Sequence, residues 1–378
     1  MKIAVPAEHD EPRVAATPET VKRYVGLGAT VSVERGAGVL SLIPDAEYAA
    51  VGATIAPDAT TTVVDADVIL KVRRPTAAEL RTYKPGALVI ATMDPYGHEA
   101  DVKAMAEANV AAFAMELMPR ITRAQSMDVL SSQANLAGYQ AVIDAAEQYG
   151  RALPMMMTAA GTVPAARIFV MGAGVAGLQA IATARRLGAV VTATDVRPAA
   201  KEQVESLGAK FIAVEDDEFK QAETAAGYAK PMSAEYQAKQ AALVADHIKK
   251  QDIVITTALI PGRPAPRLVT AAMVASMKPG SVLVDLAVER GGNVEGAKAG
   301  EIAEVGNGVK AVGYANVAGR IPASASALYA RNLYAFVETL IDKNTKQLAV
   351  KWDDDLVKAT DLTRDGKVVH PAFSGEGK

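Results

Sequence analysis

The sequence contains no cysteine, which excludes disulfides, thiolate nucleophiles and cysteine-based metal sites together. Histidine is scarce as well, with four scattered residues among 378, so no metal site is expected. Charge of one sign is also lacking, because 40 Lys and Arg stand against 43 Asp and Glu, a formal net charge of −3. A chain this close to neutral gains little electrostatic free energy by binding nucleic acid or an anionic bilayer. We therefore expect neither as a direct partner.

Long hydrophobic runs are missing too. The N-terminus becomes polar at Glu8, too early for the apolar core of a signal peptide. The longest uncharged stretch near the middle, 168–184, contains three glycines and is too short to span a membrane comfortably. These features predict a cytoplasmic protein. Its 50% hydrophobic content is nevertheless enough for two sizeable cores, so a disordered chain is not expected.

Short apolar runs rich in β-formers alternate with helical patterns along most of the chain. This alternation predicts an α/β fold whose parallel sheets are covered on both faces. Long helical patterns at about 126–149 and 324–342 can carry the chain from a first domain to a second and back. The predicted strands are 2–6, 30–34, 67–72, 87–92 and 110–115 in the first domain, and 167–171, 190–194, 210–214, 252–257, 281–286 and 310–312 in the second.

The sharpest local motif is Gly172-Ala-Gly174-Val175-Ala176-Gly177, between the strand 167–171 and a predicted helix at 175–188. Gly172 permits a tight turn, Gly174 lets the backbone approach a pyrophosphate, and Gly177 lets the helix pack closely on the strand. The N–H groups at the helix N-terminus then face the diphosphate. The motif favours dinucleotide binding, and a glycine-rich packing turn is the alternative.

An acid at the end of the next strand bears on cofactor choice. Asp195 follows Gly177 by 18 residues, a position from which a carboxylate accepts both ribose hydroxyls and repels a 2′-phosphate. This favours NAD over NADP. Arg197, beyond Val196, is a contrary signal. We therefore predict two Rossmann-like, doubly wound parallel-sheet domains separated by a cleft, 1–130 plus 321–378 and an NAD(H)-binding domain at 131–320.

Two further motifs follow predicted strands, where open α/β sheets bind ligands. The first motif, 256–262, contains Thr257-Ala258-Leu259, and an ordinary Pro-Gly turn also explains it. In the second, 284–293, Asp285 could serve catalysis or simply bond loop amides, and both interpretations stay open.

Three polar residues, Asp128, Ser131 and Asn135, recur at helical spacing and therefore share one face of the predicted helix at 126–149. The pattern fits a functional cluster and a solvated face equally well.

Two segments interrupt the alternation of strands and helices. The polar stretch 215–233, which contains Gly227 and Tyr228, is long for an α/β connection and suggests a lid or a disordered linker. Near the C-terminus, a strand-like run at 347–352 and a turn at Asp365-Gly366 predict a β-hairpin.

Over nearly its whole length the chain resembles the alanine dehydrogenase/nicotinamide nucleotide transhydrogenase superfamily. The resemblance begins with the residues 2–6, Arg13-Val-Ala-Ala-Thr-Pro and Gly36-Ala-Gly. It is most specific at 114–133, 155–164, the Gly172 motif, 257–262 and 278–281, where the sequence is similar to the NAD(H)-binding alpha subunit of proton-translocating transhydrogenases.

The resemblance implies roles for four residues around the nicotinamide. Arg120, Asp128 and Ser131 would hold the carboxamide, and Gln125 would reach toward the partner's nucleotide. It also implies that Tyr228 lies on a mobile loop that closes on bound nucleotide.

The same resemblance implies that the chain binds NAD(H), while a separate subunit binds NADP(H) and a membrane subunit couples hydride transfer to proton translocation. It further implies a homodimer, held near the inner membrane through its partners.

Two departures separate the chain from the alanine dehydrogenases. Their catalytic His follows the strand that corresponds to 87–92, whereas here Met93-Asp94 stands there and His98 is displaced; they also carry Asp at the position of Glu289. Imine chemistry needs a proton-transfer group, whereas direct hydride transfer between two nicotinamides needs none. An amino-acid dehydrogenase that binds a carboxylate with Arg13 and Lys71 remains the alternative, and a non-catalytic NAD sensor is a third hypothesis.

Overall fold

A computed structural model of the chain describes residues 1–221, 232–260 and 262–375. Contacts divide the chain into two compact units, Met1–Gln133 with Gly319–Lys378, and Ala134–Ala318. The boundaries predicted from the sequence differ from these by a few residues. As boundaries of independently folding domains they remain a prediction.

The first unit begins with strands and helices in alternation. The 21-residue helix α6 then contributes to both units. The elements are β1 (Lys2–Val5), α1 (Pro18–Gly26), β2 (Thr30–Glu34), α2 (Asp45–Ala50), β3 (Thr54–Ala56), α3 (Ala59–Val63), β4 (Val68–Arg73), α4 (Ala77–Leu80), β5 (Leu88–Thr92), α5 (Glu99–Glu107), β6 (Ala111–Ala114) and α6 (Val129–Tyr149).

The second unit continues with a hairpin, β7 and β8, before the strand–helix alternation resumes. Its elements are β7 (Met156–Thr158), β8 (Gly161–Val163), β9 (Arg167–Met171), α7 (Val175–Arg186), β10 (Val190–Thr194), α8 (Ala200–Ser206), β11 (Lys210–Phe211), α9 (Asp217–Lys220), α10 (Ala234–Ile248), β12 (Ile253–Thr256), α11 (Ala271–Ala275), β13 (Val282–Asp285), β14 (Ile302–Val305) and β15 (Val309–Val312). The chain then returns to the first unit with α12 (Pro322–Thr339), α13 (Asp355–Thr360), β16 (Asp361–Arg364) and β17 (Lys367–Val368).

The sheet of the first unit has the order β17-β16-β6-β5-β4-β1-β2-β3. β1 to β6 are parallel, and β16 joins the edge of β6 in antiparallel orientation. Successive residues of β4 enter different cores, since Leu70 packs into one and Ile69 into the other. Both faces of the sheet are therefore covered, as parallel sheets require.

The larger sheet of the second unit has the order β11-β10-β9-β12-β13-β15-β14, in which only β14 is antiparallel among the strands described. Its six parallel strands follow the dinucleotide-binding order, with the reversal between β9 and β12. Ile168 faces a core that includes Ala180 of α7, and Phe169 faces Ile248 of α10. The predicted fold class, α/β with Rossmann-like parallel sheets, is confirmed.

Several local predictions need correction. The run 347–352 forms no strand in the part of the chain that the structure describes; it takes part only in the isolated bridge between Ile341 and Leu348. The hairpin at Asp365-Gly366 is confirmed, with β16 and β17 as its arms. Helix α6 starts at Val129 rather than at about 126, because a 3-10 helix, Thr122–Met127, precedes it.

The segment 215–233, predicted to be a lid or a linker, contains the helix α9 in its described part. Across the described ranges, no helix combines the length and apolar character needed to cross a bilayer.

Candidate functional site

The carboxyl ends of β9 and β12 lie side by side where the strand order of the second unit reverses. Gly172 follows β9 with a φ of +107°, and a Cβ there would lie 2.5 Å from Thr257 Oγ1. A Cβ on Gly177 would lie 1.8 Å from the Gly172 carbonyl oxygen. Thr257 Oγ1 in turn donates to that carbonyl over 3.1 Å. Close packing therefore requires two of the three predicted glycines.

The third glycine, Gly174, occupies a different environment. It is exposed at the N-cap of α7, and a Cβ built there would meet nothing within 4 Å. The first N–H groups of a helix, here those of Val175 and Ala176, have no acceptor within the helix and carry positive potential. Open space beside these donors is the cradle that a dinucleotide diphosphate needs, so the residues present fit such a cofactor.

Asp195, just after β10, makes hydrogen bonds with Arg197 and with the loop 172–177, which we call the glycine loop. Its Oδ2 accepts from the Ala173 N–H over 2.7 Å, and Oδ1 accepts from the Arg197 N–H and Nε, both over 2.9 Å. Arg197 Nη2 also donates to Oδ2 over 3.1 Å. Because Arg197 neutralises the carboxylate, a 2′-phosphate would meet an ion pair here, which weakens the predicted argument for NAD. Val196 between them is 55% exposed.

Thr257, Ala258 and Leu259 follow β12, and Leu259 is 53% exposed. The residue that orders this segment, Asn293, was missed in the sequence. Its fully buried side chain accepts from the Ala258 N–H over 3.0 Å and donates to the Ala258 and Pro266 carbonyl oxygens over 2.9 and 2.8 Å. The only sequence signal for it was its position at the end of the 284–293 motif.

Asp285, for which two interpretations were open, bonds loop amides. It accepts from the N–H groups of Ala287 and Val294, each over 2.9 Å, and is 1% exposed. This carboxylate therefore holds the loop after β13.

The predicted nicotinamide residues lie in the first unit, around the 3-10 helix Thr122–Met127, which we call the site turn. Gln125 is exposed on this turn, and Arg120 is exposed just before it. Asp128 follows the turn and caps α6, because it accepts from the Ser131 N–H over 2.9 Å and from Ser131 Oγ over 2.6 Å. The structure thus brings Asp128 and Ser131 together.

Other predicted residues do not join this cluster. Asn135 is exposed and donates to Gln179 Oε1 over 3.3 Å, within the second unit. Gly227 and Tyr228 lie outside the described residues, so their assignment stays a prediction.

The strand order of the first unit reverses between β1 and β4, and buried charged side chains occupy this position. Arg13 makes two 2.7 Å hydrogen bonds to the carboxylate of Glu11, and Lys71 lies 3.2 Å from Glu8 and 2.8 Å from Glu79. Burial opposes the ionisation of Glu11, but the hydrogen bonds from Arg13 outweigh it and lower the pKa of Glu11. At Glu8 burial prevails and raises the pKa.

Tyr329 of α12, a second residue missed in the sequence, completes this region. Its hydroxyl donates to the Lys71 carbonyl oxygen over 3.0 Å and accepts from the Thr92 N–H over 3.0 Å. After β5, where alanine dehydrogenases were expected to carry their histidine, the N–H groups of Met93 and Asp94 donate to the carboxylate of Glu116.

Comparison with known proteins identifies the family. The alanine dehydrogenase/PNT N-terminal domain matches residues 4–137, and the C-terminal domain of the same family matches residues 141–371. The chain is 56% identical to an NAD(P) transhydrogenase subunit alpha polypeptide of Rhodospirillum rubrum, over the full length of both chains. A transhydrogenase structure from Sinorhizobium meliloti is 66% identical, covers 98% of this chain and 100% of its own, and superposes with a TM-score of 0.90.

Alanine dehydrogenases are more distant relatives. That of Halomonas elongata is 31% identical, over 99% of this chain and 96% of its own. An L-alanine dehydrogenase structure is 26% identical, covers 99% of this chain and 98% of its own, and has a TM-score of 0.83. These relatives confirm the resemblance found in the sequence and the expected oxidoreductase class. The chain belongs to the alanine dehydrogenase/PNT family.

Proposed function

We propose that the chain is the NAD(H)-binding component of a proton-translocating transhydrogenase. Hydride passes directly between its nucleotide and an NADP(H) held by a partner subunit, and a membrane subunit couples this transfer to proton movement. The observation that carries the proposal is the open cradle at Gly174, at the strand reversal of a dinucleotide-binding sheet, in a chain with a 56% identical transhydrogenase relative.

The second unit supplies the cofactor site. The N–H groups of Val175 and Ala176 bind the diphosphate, Asp195 with Arg197 faces the adenosine ribose, and the segment after β12 borders the nucleotide. Bound NAD(H) supplies the hydride chemistry. The glycine loop contributes orientation, because Thr257 and Asp195 fix it from both sides.

The first unit supplies the residues that act on the nicotinamide. Arg120, Asp128 and Ser131 bind the carboxamide, and Gln125 acts toward the partner's nucleotide. In support, Asp128 and Ser131 are already joined by two hydrogen bonds. Direct transfer requires close approach of two rings and exclusion of water, so positioning is the main contribution of these side chains.

The alternative, an amino-acid dehydrogenase, is disfavoured by the charges at Arg13 and Lys71. Both cations that could bind a substrate carboxylate are already paired with buried carboxylates of the same unit. Incubation with NADH, pyruvate and ammonia should therefore give no turnover beyond background. Turnover there, without hydride transfer in the presence of the partner, would establish the alternative.

We also propose that the chain is a homodimer, which associates with the inner membrane through its partner subunits. The hairpin β7–β8 supports the dimer, because Met156, Met157 and Val163 are 43%, 79% and 37% exposed on a two-stranded sheet of its own. Such a hairpin is only marginally stable in water unless something covers it. Light scattering should give twice the 39.4 kDa chain mass, and Met157→Glu should yield monomer.

The role of Gln125 gives the sharpest test of the transfer step. Gln125→Asn shortens the side chain by one methylene, so hydride transfer in the reconstituted complex should slow by about tenfold or more. The affinity of the isolated chain for NADH should stay within about threefold, because this interaction exists only near the transition state. Single-turnover stopped flow with an NADP⁺ analogue whose reduced form absorbs at a distinct wavelength measures the rate.

Two companion variants make the result interpretable. Gln347→Asn changes another exposed glutamine of the same unit and should leave both rate and affinity unchanged. Arg120→Ala should weaken NADH binding and slow transfer together, because it removes a cofactor contact present in every state. A parental transfer rate in Gln125→Asn would show that the role assigned to Gln125 is wrong.

A further inference from the structure

The site turn Thr122–Met127 is held by side chains that come from far along the chain. Ala124 and Met127 are 1% and 5% exposed and belong to the same core as Phe336 of α12. The exposed Gln125 thus lies between two anchored residues, and whatever fixes this turn also fixes the place from which its side chain acts.

Asn332 of α12 bonds the turn from its buried side. Its Nδ2 donates to the Ser126 carbonyl oxygen over 2.8 Å, and its Oδ1 accepts from Ser132 Oγ over 2.7 Å. One amide group, 8% exposed, therefore links the residue after Gln125 to the first turn of α6. Loss of such a buried link costs more than loss of an exposed one, because it leaves a buried partner unsatisfied.

The C-terminal return holds the turn from its other side. Arg123 makes a two-pronged ion pair with Asp354, with Nη1–Oδ2 and Nη2–Oδ1 distances of 2.9 and 2.8 Å. The hydrogen bonds from Arg123 lower the pKa of Asp354. Asp354 Oδ1 also accepts from the Leu356 N–H over 2.8 Å and so caps α13.

The same return also meets the chain just before the turn. β16 pairs with β6, the strand that leads toward Arg120, and Thr363 Oγ1 donates to the Val110 carbonyl oxygen over 2.9 Å. Residues of the C-terminal return are therefore bonded to the segment both before and within the site turn.

We propose that Asn332 and the Arg123–Asp354 pair are positioning residues for hydride transfer, which act by fixing the site turn and hence Gln125. The proposal rests on the function proposed above. It gives the C-terminal return a role in the reaction, although none of its residues touches the cofactor in this scheme. Misplacement by about 1 Å can cost up to a hundredfold in rate, so small shifts of this turn are enough to matter.

The test uses Asp354→Asn, which removes the charge but keeps a good capping residue for α13. Single-turnover transfer with the partner subunit should slow about threefold to tenfold, while NADH affinity of the isolated chain stays within about twofold. Asn332→Asp, which loses the donor to Ser126, should slow transfer at least as much. Asp354→Glu, which keeps the charge, should recover part of the loss.

The matched control is Glu19→Gln. Arg331 of α12 forms a comparable ion pair with Glu19, in which Nε donates to both carboxylate oxygens and Nη2 to Oε2. The two side chains are about half exposed, and this pair does not touch the site turn. Glu19→Gln should leave the transfer rate unchanged. An equal loss there would attribute the effect to general stability and overturn the proposal.

A double-mutant cycle separates this proposal from the one on which it rests. If Asp354 acts through Gln125, then Asp354→Asn should have no further effect in a Gln125→Ala background. If Gln125→Asn slows transfer but the Asp354 and Asn332 variants do not, positioning is refuted and the function of Gln125 stands. If Gln125→Asn has no effect, the proposed role of Gln125 itself is refuted.

Discussion

The two units share a strand order around the point of reversal, yet they use that point in opposite ways. In the first unit, the side chains of Arg13, Glu11 and Lys71 fill it and are almost completely buried. In the second, it is lined by glycine, and Gly174 borders open space. Topology therefore specifies where an open α/β sheet can bind a ligand, and the side chains decide whether room is left. The same place serves stability in one unit and, as proposed, nucleotide binding in the other.

The largest effect is expected at the buried charges of the first unit. Lys71→Met leaves Glu8 and Glu79 without their shared cation, and breaking a buried pair in this way costs about 3 kcal/mol or more in the free energy of unfolding. Urea denaturation measures the loss. The exposed pair of Lys103 with Glu107 provides the control, since Lys103→Met should change stability by less than about 0.5 kcal/mol. If Lys71→Met lowered the free energy of unfolding by less than about 1 kcal/mol, the buried charges would not have the stabilising role described for the first unit.

The corresponding change in the second unit should affect binding and not stability. Gly174→Ala adds a Cβ to space that is open in the structure but that the diphosphate would need. We expect NADH affinity to fall at least about tenfold, about 1.4 kcal/mol, with no change in the urea midpoint. Gly26→Ala, where a Cβ also meets nothing within 4 Å, lies in α1 and should leave NADH affinity unchanged. If Gly174→Ala bound NADH as tightly as the parent chain, the diphosphate would not bind in the open space beside Gly174.

The first unit also contains a buried carboxylate, that of Asp361, with fewer hydrogen-bond partners than Glu11 or Glu8. Asp361 is 4% exposed, and its Oδ1 has no hydrogen-bond partner among the described residues. Burial raises the pKa of Asp361 to about 7, although Arg364 acts in the opposite direction. Because the folded state then binds the proton more tightly, this group lowers stability progressively as the pH rises from about 4 through 7.

Asp361→Asn should therefore stabilise the protein at pH 8, by about 1–2 kcal/mol, and have little effect near pH 4. Chemical denaturation at the two pH values measures this difference. The exposed Asp353, changed to Asn, should show no such pH dependence. Equal effects of Asp361→Asn at both pH values would exclude a buried, ionising Asp361.

The smallest expected effect concerns cofactor choice. Arg197→Ala leaves Asp195 without its cation, so the preference for NADH over NADPH should rise by about threefold to tenfold. Asp195→Asn, in contrast, should weaken NADH binding and reduce the preference for NADH over NADPH. Calorimetric titration of each variant with both nucleotides gives the ratios. If the parent chain bound NADPH as tightly as NADH or more tightly, Asp195 would not discriminate between the two nucleotides.

Local patterns were sufficient for the architecture and for the glycine loop. Apolar runs marked most of the parallel strands, and the Gly172 motif could be recognised because strand, turn and helix are contiguous in sequence. What the sequence could not supply was the set of long-range partners. Asn332 meets Ser126 across 206 residues, and Tyr329 meets Lys71 across 258. No periodicity marks such pairs, since each residue reads locally as an ordinary helix position.

The prediction at 347–352 failed for a related reason. Alternating apolar residues favour a strand, but a strand forms only where a sheet edge accepts it. The edge of β6 pairs instead with β16, which begins nine residues after this run ends.

The pairing of β16 with the edge of β6 has a consequence for folding during synthesis on the ribosome. All strands of the second unit's large sheet, β9 to β15, are contiguous in sequence, so this sheet can assemble while later residues are still being translated. The first unit emerges earlier, but β6 keeps an open, aggregation-prone edge until residues 361–364 have been made. We therefore expect the unit that is translated first to be the last to mature. A chain truncated after residue 320 and released from the ribosome should resist protease in 134–318 more than in 1–133.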